Sequence, residues 1–242
     1  MATTGVSSGA CALRTTAAAG TQVCGGACVN TQTNVAHCNM CDRACAQPSL
    51  PNSLPACTQG QCGATCRTGY QMCTGATTNC HPTTWGWEAG DSNGWTASDD
   101  TAFTPSMAQH HSGSWSFEGY GSVNSTPARA FTYFCAADPN ASFSTIDLRG
   151  KKLTAWVLLN GSFPAGTAAC KLYGDMLAQP FPTRVYLDPP MNNPPSGSWF
   201  SMSGTFGSQA SQIILVGVEC ALPADWNSSP TKRWYIDDVS IE

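Results

Sequence analysis

From Thr84 onward the chain runs in short stretches where apolar and polar side chains alternate, broken by clusters of Pro, Gly, Asn and Asp. A period of two puts successive side chains on opposite faces of a strand, and many such stretches in series are the sequence form of an all-β sandwich. The pattern predicts strands over 84–88, 114–121, 128–135, 152–160, 168–175, 183–188, 198–206, 211–220 and 233–241, with the Pro-rich run 188–197 as a break. No segment sustains a helical period, so very little helix is expected.

The same alternation sorts faces. Leu153, Ala155 and Val157 read as core-facing, which turns Trp156 the other way. Tyr173 goes with Lys171 and Asp175, away from Cys170 and Leu172, and Tyr133 goes with Arg129. Glu219 shares its face with Ile213 and Leu215, which counts against it as a ligand-facing group. Trp115, Phe117, Trp199 and Trp234 are assigned to the core.

Residues 1–83 lack this texture. All 8 Trp and all 9 Phe lie at or beyond Trp85, and the first 83 residues hold no Lys. That leaves too little apolar surface to offset the entropy of ordering the chain, so disulfides must stabilise this part. The division predicts two domains: 1–83, cysteine-rich and loop-dominated, and 84–242, the sandwich. Cysteines at 11, 24, 28, 38, 41, 45, 57, 62, 66, 73 and 80 crowd the first, and Cys135, Cys170 and Cys220 lie in the second. Cys24 to Cys28 (CGGAC) is echoed by Cys62 to Cys66 (CGATC), which predicts two degenerate copies of one unit with a loop over 47–56 between them. If the ten cysteines from Cys24 to Cys80 pair internally, Cys11 is left for Cys135, and Cys170 for Cys220. Cys38-x2-Cys41 beside His37 has the spacing of half a zinc site, but in a chain so rich in cysteine disulfides are the expectation.

Dense cysteine use belongs to oxidising compartments, so a secreted, extracellular protein is expected. Met1 to Ala10 has neither a basic nor an apolar region, and the reading is a mature chain whose signal peptide has been removed. No apolar run reaches the length of a membrane span. The net charge is −4, with no basic cluster denser than Lys151-Lys152 or Lys232-Arg233, which argues against nucleic acid as a partner. Only 11% of residues are charged, so the surface suits neutral polar ligands. Neither a G-x-S-x-G nor an H-E-x-x-H motif occurs, and a non-catalytic protein is expected.

Two stretches carry resemblances. The run CGGACVNTQTNVAHCNMCDRAC resembles the stigma-specific cysteine-rich family over roughly residues 24–66. In the second domain WGWEAGDSNGWTASDD, HHSGSWSFEG, KLTAWVLLNG, SWFSMSGTF and WYIDDVSI follow one another as five motifs similar to carbohydrate-binding modules of families 4, 9 and 22. That resemblance implies a jelly-roll sandwich that holds a polysaccharide through aromatic residues on one face. Here the set is Trp156, Tyr173 and Tyr133 with Arg129, Asp175 and Glu219, joined by Trp226 in the loop PADWNSSP. It also implies a structural calcium held by Glu88 and by Asp237 or Asp238, with loop carbonyls near Asp91 and Ser112. Strict alternation allows only one of the two aspartates to face the site, and the family pattern favours Asp238. His110-His111 reads as a structural part of the adjoining loop. The alternative is a structural or adhesive protein, self-assembling or attached to a larger secreted protein, whose sandwich contacts other proteins.

Overall fold

The computed structural model describes residues 20–73, 80–97, 102–119, 127–134, 145–161, 167–177, 182–222 and 232–242. Cys11, Cys135 and Trp226, and with them the Cys11 to Cys135 pairing, lie outside these residues. The chain forms two compact units, Met1–Met72 and Cys73–Glu242. The second therefore begins at Cys73 rather than at residue 84, because Cys73 is buried within the sandwich core and His81 packs on Trp85 and Phe134.

In the first unit β1 (Thr21–Cys24) pairs with β2 (Ala27–Asn30), and β3 (Ser53–Thr58) with β4 (Gln61–Cys66). Both hairpins close through two residues at positive φ, Gly25-Gly26 and Gln59-Gly60. This is the turn geometry whose twist matches antiparallel strands. Strand β5 (Tyr70–Met72) ends the unit, and a 3-10 turn occupies Val35–His37. Disulfides Cys24–Cys41, Cys38–Cys57 and Cys45–Cys62 interlace these pieces, and Cys38, Cys45 and Cys57 make the unit's small core. Cys28, Cys66, Cys73 and Cys80 are also disulfide-bonded, and no cysteine among the described residues is free. Cys38 and Cys41 are thus not a zinc half-site, and His37 Nδ1 accepts the Asp42 N–H at 2.9 Å. The cysteine echo is not a structural repeat: CGGAC spans a hairpin, whereas CGATC lies along the single strand β4. Nor is 47–56 all loop, since Ser53 to Ala56 belong to β3.

The second unit is a two-sheet sandwich. Its strands are β6 (Cys80–Pro82), β7 (Thr84–Trp85), β8 (Trp95–Ala97), β9 (Phe103–Ser106), β10 (Ser116–Gly119), β11 (Ala128–Tyr133), β12 (Lys152–Asn160), β13 (Ala169–Met176), β14 (Thr183–Asn192), β15 (Phe200–Thr205), β16 (Ile213–Ala221) and β17 (Arg233–Ile241). One sheet runs β15-β12-β17-β10-β9 with β7 added along β17, and the other runs β14-β13-β16-β11-β8. Leu153, Ala155, Val157, Phe117, Trp234 and Ile236 from the first sheet meet Ala130, Leu172, Val216 and Val218 from the second in one core. Cys170 and Cys220 face each other across β13 and β16 and form a disulfide, as the parity of the cysteines predicts.

Four expectations need correction. Strands β8 and β9 fall in segments too short and Ser/Thr-rich for alternation to reveal. Strand β14 continues through Pro189 and Pro190 to Asn192. It is an edge strand, where a residue without an N–H costs no ladder bond on its open side. Trp199 is only partly buried and packs its ring edge on His111. Trp115 is likewise only partly buried, against the rim of the core.

Candidate functional site

Side chains on the solvent side of the five-stranded sheet fall into three cross-strand rows. One row is Arg184, Asp175, Leu215 and Tyr133; the next is Tyr186, Tyr173, Gly217 and Phe131; the third is Lys171, Glu219 and Arg129. Every second residue of β11, β13 and β16 supplies one member, which is why period-two reading located most of them. Tyr133 and Tyr186 stand at the two sides of this shelf, each 40% exposed. Three strand intervals separate them, or roughly 14 Å at the usual inter-strand spacing.

Between the exposed rings the shelf is tied down by charge. Asp175 receives both ends of the Arg184 fork, at 2.8 and 2.9 Å. Glu219 accepts from Arg129 Nε at 2.6 Å, from Arg184 Nη1 at 3.2 Å and from the Tyr186 hydroxyl at 3.0 Å. The hydrogen bonds to Asp175 push the Arg184 pKa above its ordinary value. Burial, and then the charge of Glu219, pushes the Tyr186 phenol up.

Tyr173 is wholly buried as the floor of the shelf, with the Arg184 guanidinium 4.1 Å above its ring and Tyr186 at its edge. Its phenol pKa is raised, chiefly by burial, and its hydroxyl has no hydrogen-bond partner among the described residues. The floor lies flat because Gly217 has no side chain: a Cβ there would sit 2.7 Å from the tyrosine ring and 2.5 Å from the Ala130 carbonyl oxygen.

Trp156 is elsewhere. It projects from β12, in the other sheet, so the shared concave surface expected for the whole aromatic set is not formed. Its ring is stacked on His111 at 3.7 Å, and it helps line a cleft with Thr84, Gly86, Thr154, Asp238 and Ser240. Tyr173, Tyr133, Arg129, Asp175 and Glu219 do come together. Ile213 belongs to the core while Leu215 and Glu219 face outward, because the register of β13 and β16 shifts between Asp175 and Met176. Of the two apolar neighbours that counted against Glu219, Ile213 is therefore on the opposite face, while Leu215 does share its face. Lys171 was placed on this face by the alternation though not named as a ligand-binding residue, and Tyr186, Arg184 and Phe131 were not singled out from the sequence. The alternation of Arg184 and Tyr186 against Leu187 was the available signal.

The expected metal ligands gather where β17 bulges. Thr154 pairs with Ser240 but Trp156 with Asp237, so β17 carries one extra residue, and Asp238 takes up a φ of 44°. Such an insertion flips the phase of the strand. Trp234 and Ile236 point into the core before it, Val239 and Ile241 after it. Both aspartates consequently reach the loop at His111 and Ser112, contrary to the one-aspartate rule of strict alternation. Asp237 Oδ2 accepts the main-chain N–H of His111 at 2.8 Å and of Ser112 at 3.2 Å. Asp238 meets His111 Nδ1 and the Ser112 hydroxyl, each at 2.7 Å. Glu88 accepts the N–H groups of Ser114 and Trp115. Asp237 is fully buried, and that burial outweighs its N–H partners in raising its pKa.

Asp237 spends both lone pairs of Oδ2 on the His111 and Ser112 amides, whereas among the described residues each oxygen of Glu88 and Asp238 holds a single partner and keeps a lone pair. Glu88 and Asp238 instead flank Gly86, whose missing Cβ would lie 4.0 Å from Glu88 Cγ and 3.8 Å from Asp238 Oδ1. Two hard carboxylates beside open backbone fit a calcium ion completed by main-chain carbonyls. Among the described residues, clusters of three side-chain ligand atoms are confined to Cys38, Cys45 and Cys62, all in disulfides.

No family model matches the chain, and no curated protein matches it. Solved structures similar to it include the CBM22-1 xylan-binding domain from Paenibacillus barcinonensis Xyn10C, at 15% identity and a TM-score of 0.49 over 66% of this chain and 91% of that one. The CBM22-2 xylan-binding domain of the same protein aligns at 13% identity and a TM-score of 0.46, over 65% and 96% of the two chains. The Clostridium thermocellum xylanase 10B CBM22-1-GH10 modules, solved with xylohexaose, align at 17% identity and a TM-score of 0.47 over 65% of this chain and 27% of that one. Likenesses at this level carry no functional argument, which rests on the shelf itself.

Proposed function

We propose that the protein is an extracellular, non-catalytic carbohydrate-binding protein that holds a polysaccharide across the outer face of its five-stranded sheet. The observation that carries this reading is the pair Tyr133 and Tyr186, exposed on one face on either side of a fixed network of Arg129, Arg184, Asp175 and Glu219. Exposed rings offer flat surfaces for the C–H faces of sugars. The network between them is locked before any ligand arrives, which lowers the ordering cost of binding. Spacing across three strands suits an extended oligosaccharide rather than a single sugar. The disulfides of the first unit support an oxidising, extracellular setting.

Under the same reading a calcium ion at Glu88 and Asp238 would tie the segment after β7 to β17. It supplies charge neutralisation and cross-linking of strands, at a distance from the ligand face.

A polysaccharide screen followed by substitution tests the reading. Tyr186→Ala and Tyr133→Ala should each weaken binding about tenfold or more while leaving the fold intact. Stacking on one ring is worth ~1–3 kcal/mol where measured for bases, and ~1.4 kcal/mol is a decade in affinity. Undiminished binding by both variants would place the ligand on another surface.

A further inference from the structure

The shelf is unevenly provided with hydrogen-bonding groups. Its two acids, Asp175 and Glu219, are engaged on both of their oxygens by Arg184, Arg129 and Tyr186. Its cations are not equally spent. Arg129 commits only Nε to Glu219, and among the described residues both of its terminal nitrogens remain available. Lys171 forms no ion pair among the described residues and rests its ammonium 4.7 Å over the Tyr186 ring. Arg129 and Lys171 flank Glu219 on the two neighbouring strands. Asp188, two residues along β14 from Tyr186, lines with it a cleft at the sheet edge that also takes in Lys152 and Ser203. A ligand settling on the shelf therefore meets donors and positive charge beside the aromatic rings, on a chain whose net charge is −4.

Resting on the glycan-binding reading, we infer that the preferred ligand is an acidic polysaccharide whose uronic acid carboxylates are taken by Arg129 and Lys171. A free guanidinium end matches a carboxylate in a planar, two-point fashion. The lysine supplies a second point charge beside the ring on which the sugar stacks. A neutral glycan fills the same surface but offers no carboxylate to the terminal nitrogens of Arg129 or to the Lys171 ammonium. The net charge of the chain repels a polyanion at long range, so selectivity must come from these local contacts.

The test uses the full chain and a panel of uronic-acid-containing polysaccharides, each paired with its own carboxyl-reduced, neutral form. The expected result is at least tenfold tighter binding to the acidic member of a pair, with the difference shrinking as salt rises. Lys171→Met should remove several-fold of that preference without affecting the fold, since the side chain has no ion pair to lose among the described residues. Arg129→Gln should act likewise, its folding checked separately because Glu219 loses a partner. Equal binding to acidic and reduced forms overturns the inference while leaving the glycan-binding reading in place. Binding to no member of the panel overturns both.

Discussion

Replacing Tyr173 by Phe isolates one atom whose cost can be reckoned. The hydroxyl is buried, close to Gly217, and without a hydrogen-bond partner. An unpaired hydroxyl taken from water costs on the order of 1–3 kcal/mol in proteins. Removing it while keeping the ring leaves the contacts with Arg184 and Tyr186 in place, so the variant should be more stable by about 1 kcal/mol near neutral pH. For a domain of this size that is roughly 2–4 °C in Tm.

The pH dependence adds a second, independent sign. Burial raises the Tyr173 phenol above its ordinary value, so between the unfolded and folded pKa values the native chain holds a proton that the unfolded chain has released. Stability tied to this group is complete below about pH 10 and falls above it, by at most ~1.4 kcal/mol per pH unit. Tyr173→Phe should make that alkaline loss shallower. Urea titrations from pH 7 to 11, with phenolate absorbance followed in parallel, measure both effects. A variant less stable by more than about 1 kcal/mol at pH 7, or one with an unchanged alkaline slope, would refute the reasoning.

Two further outcomes follow from the same geometry. Gly217→Ala drives a Cβ against the Ala130 carbonyl and the Tyr173 ring, and should cost ~1–3 kcal/mol and weaken glycan binding, as urea midpoints and affinity together would reveal. Chelation should lower the Tm of the native chain through loss of a ligand bound only to the folded state, and Asp238→Asn should abolish that response; a chelator-insensitive Tm in metal-free protein would remove calcium from the account.

The boundaries of β12 and β17 were legible residue for residue, because each is a run rich in aromatic and branched apolar residues closed by polar ones, even though the alternation of β17 breaks at its bulge. The outward set of β11 and β13 was legible because alternation holds through the residues concerned. Alternation tells inward from outward but carries no information on which of two sheets a strand joins. Trp156 and Tyr173 were therefore indistinguishable in sequence, though they stand on opposite sides of the sandwich. Where one strand gains a residue over its neighbour the rule fails locally. It misplaced Ile213 relative to Glu219, and it allowed only one aspartate where two reach the same loop. The burial of Tyr173 was illegible as well, since it depends on Gly217 in the next strand and on Arg184 closing over the ring.

The extra residue of β17 also sets how that strand tolerates change in length. Val239 and Ile241 reach the core only because Asp238 occupies the left-handed region and advances the phase by one. A deletion at 237 or 238 takes out the extra residue: the rest of the strand keeps its partners on β12, so Val239 and Ile241 stay turned to the core in a plain ladder with Ser240 outward. What such a deletion loses is the second carboxylate at the His111 loop. Relatives of this chain that lack the insertion should carry a single aspartate at this point.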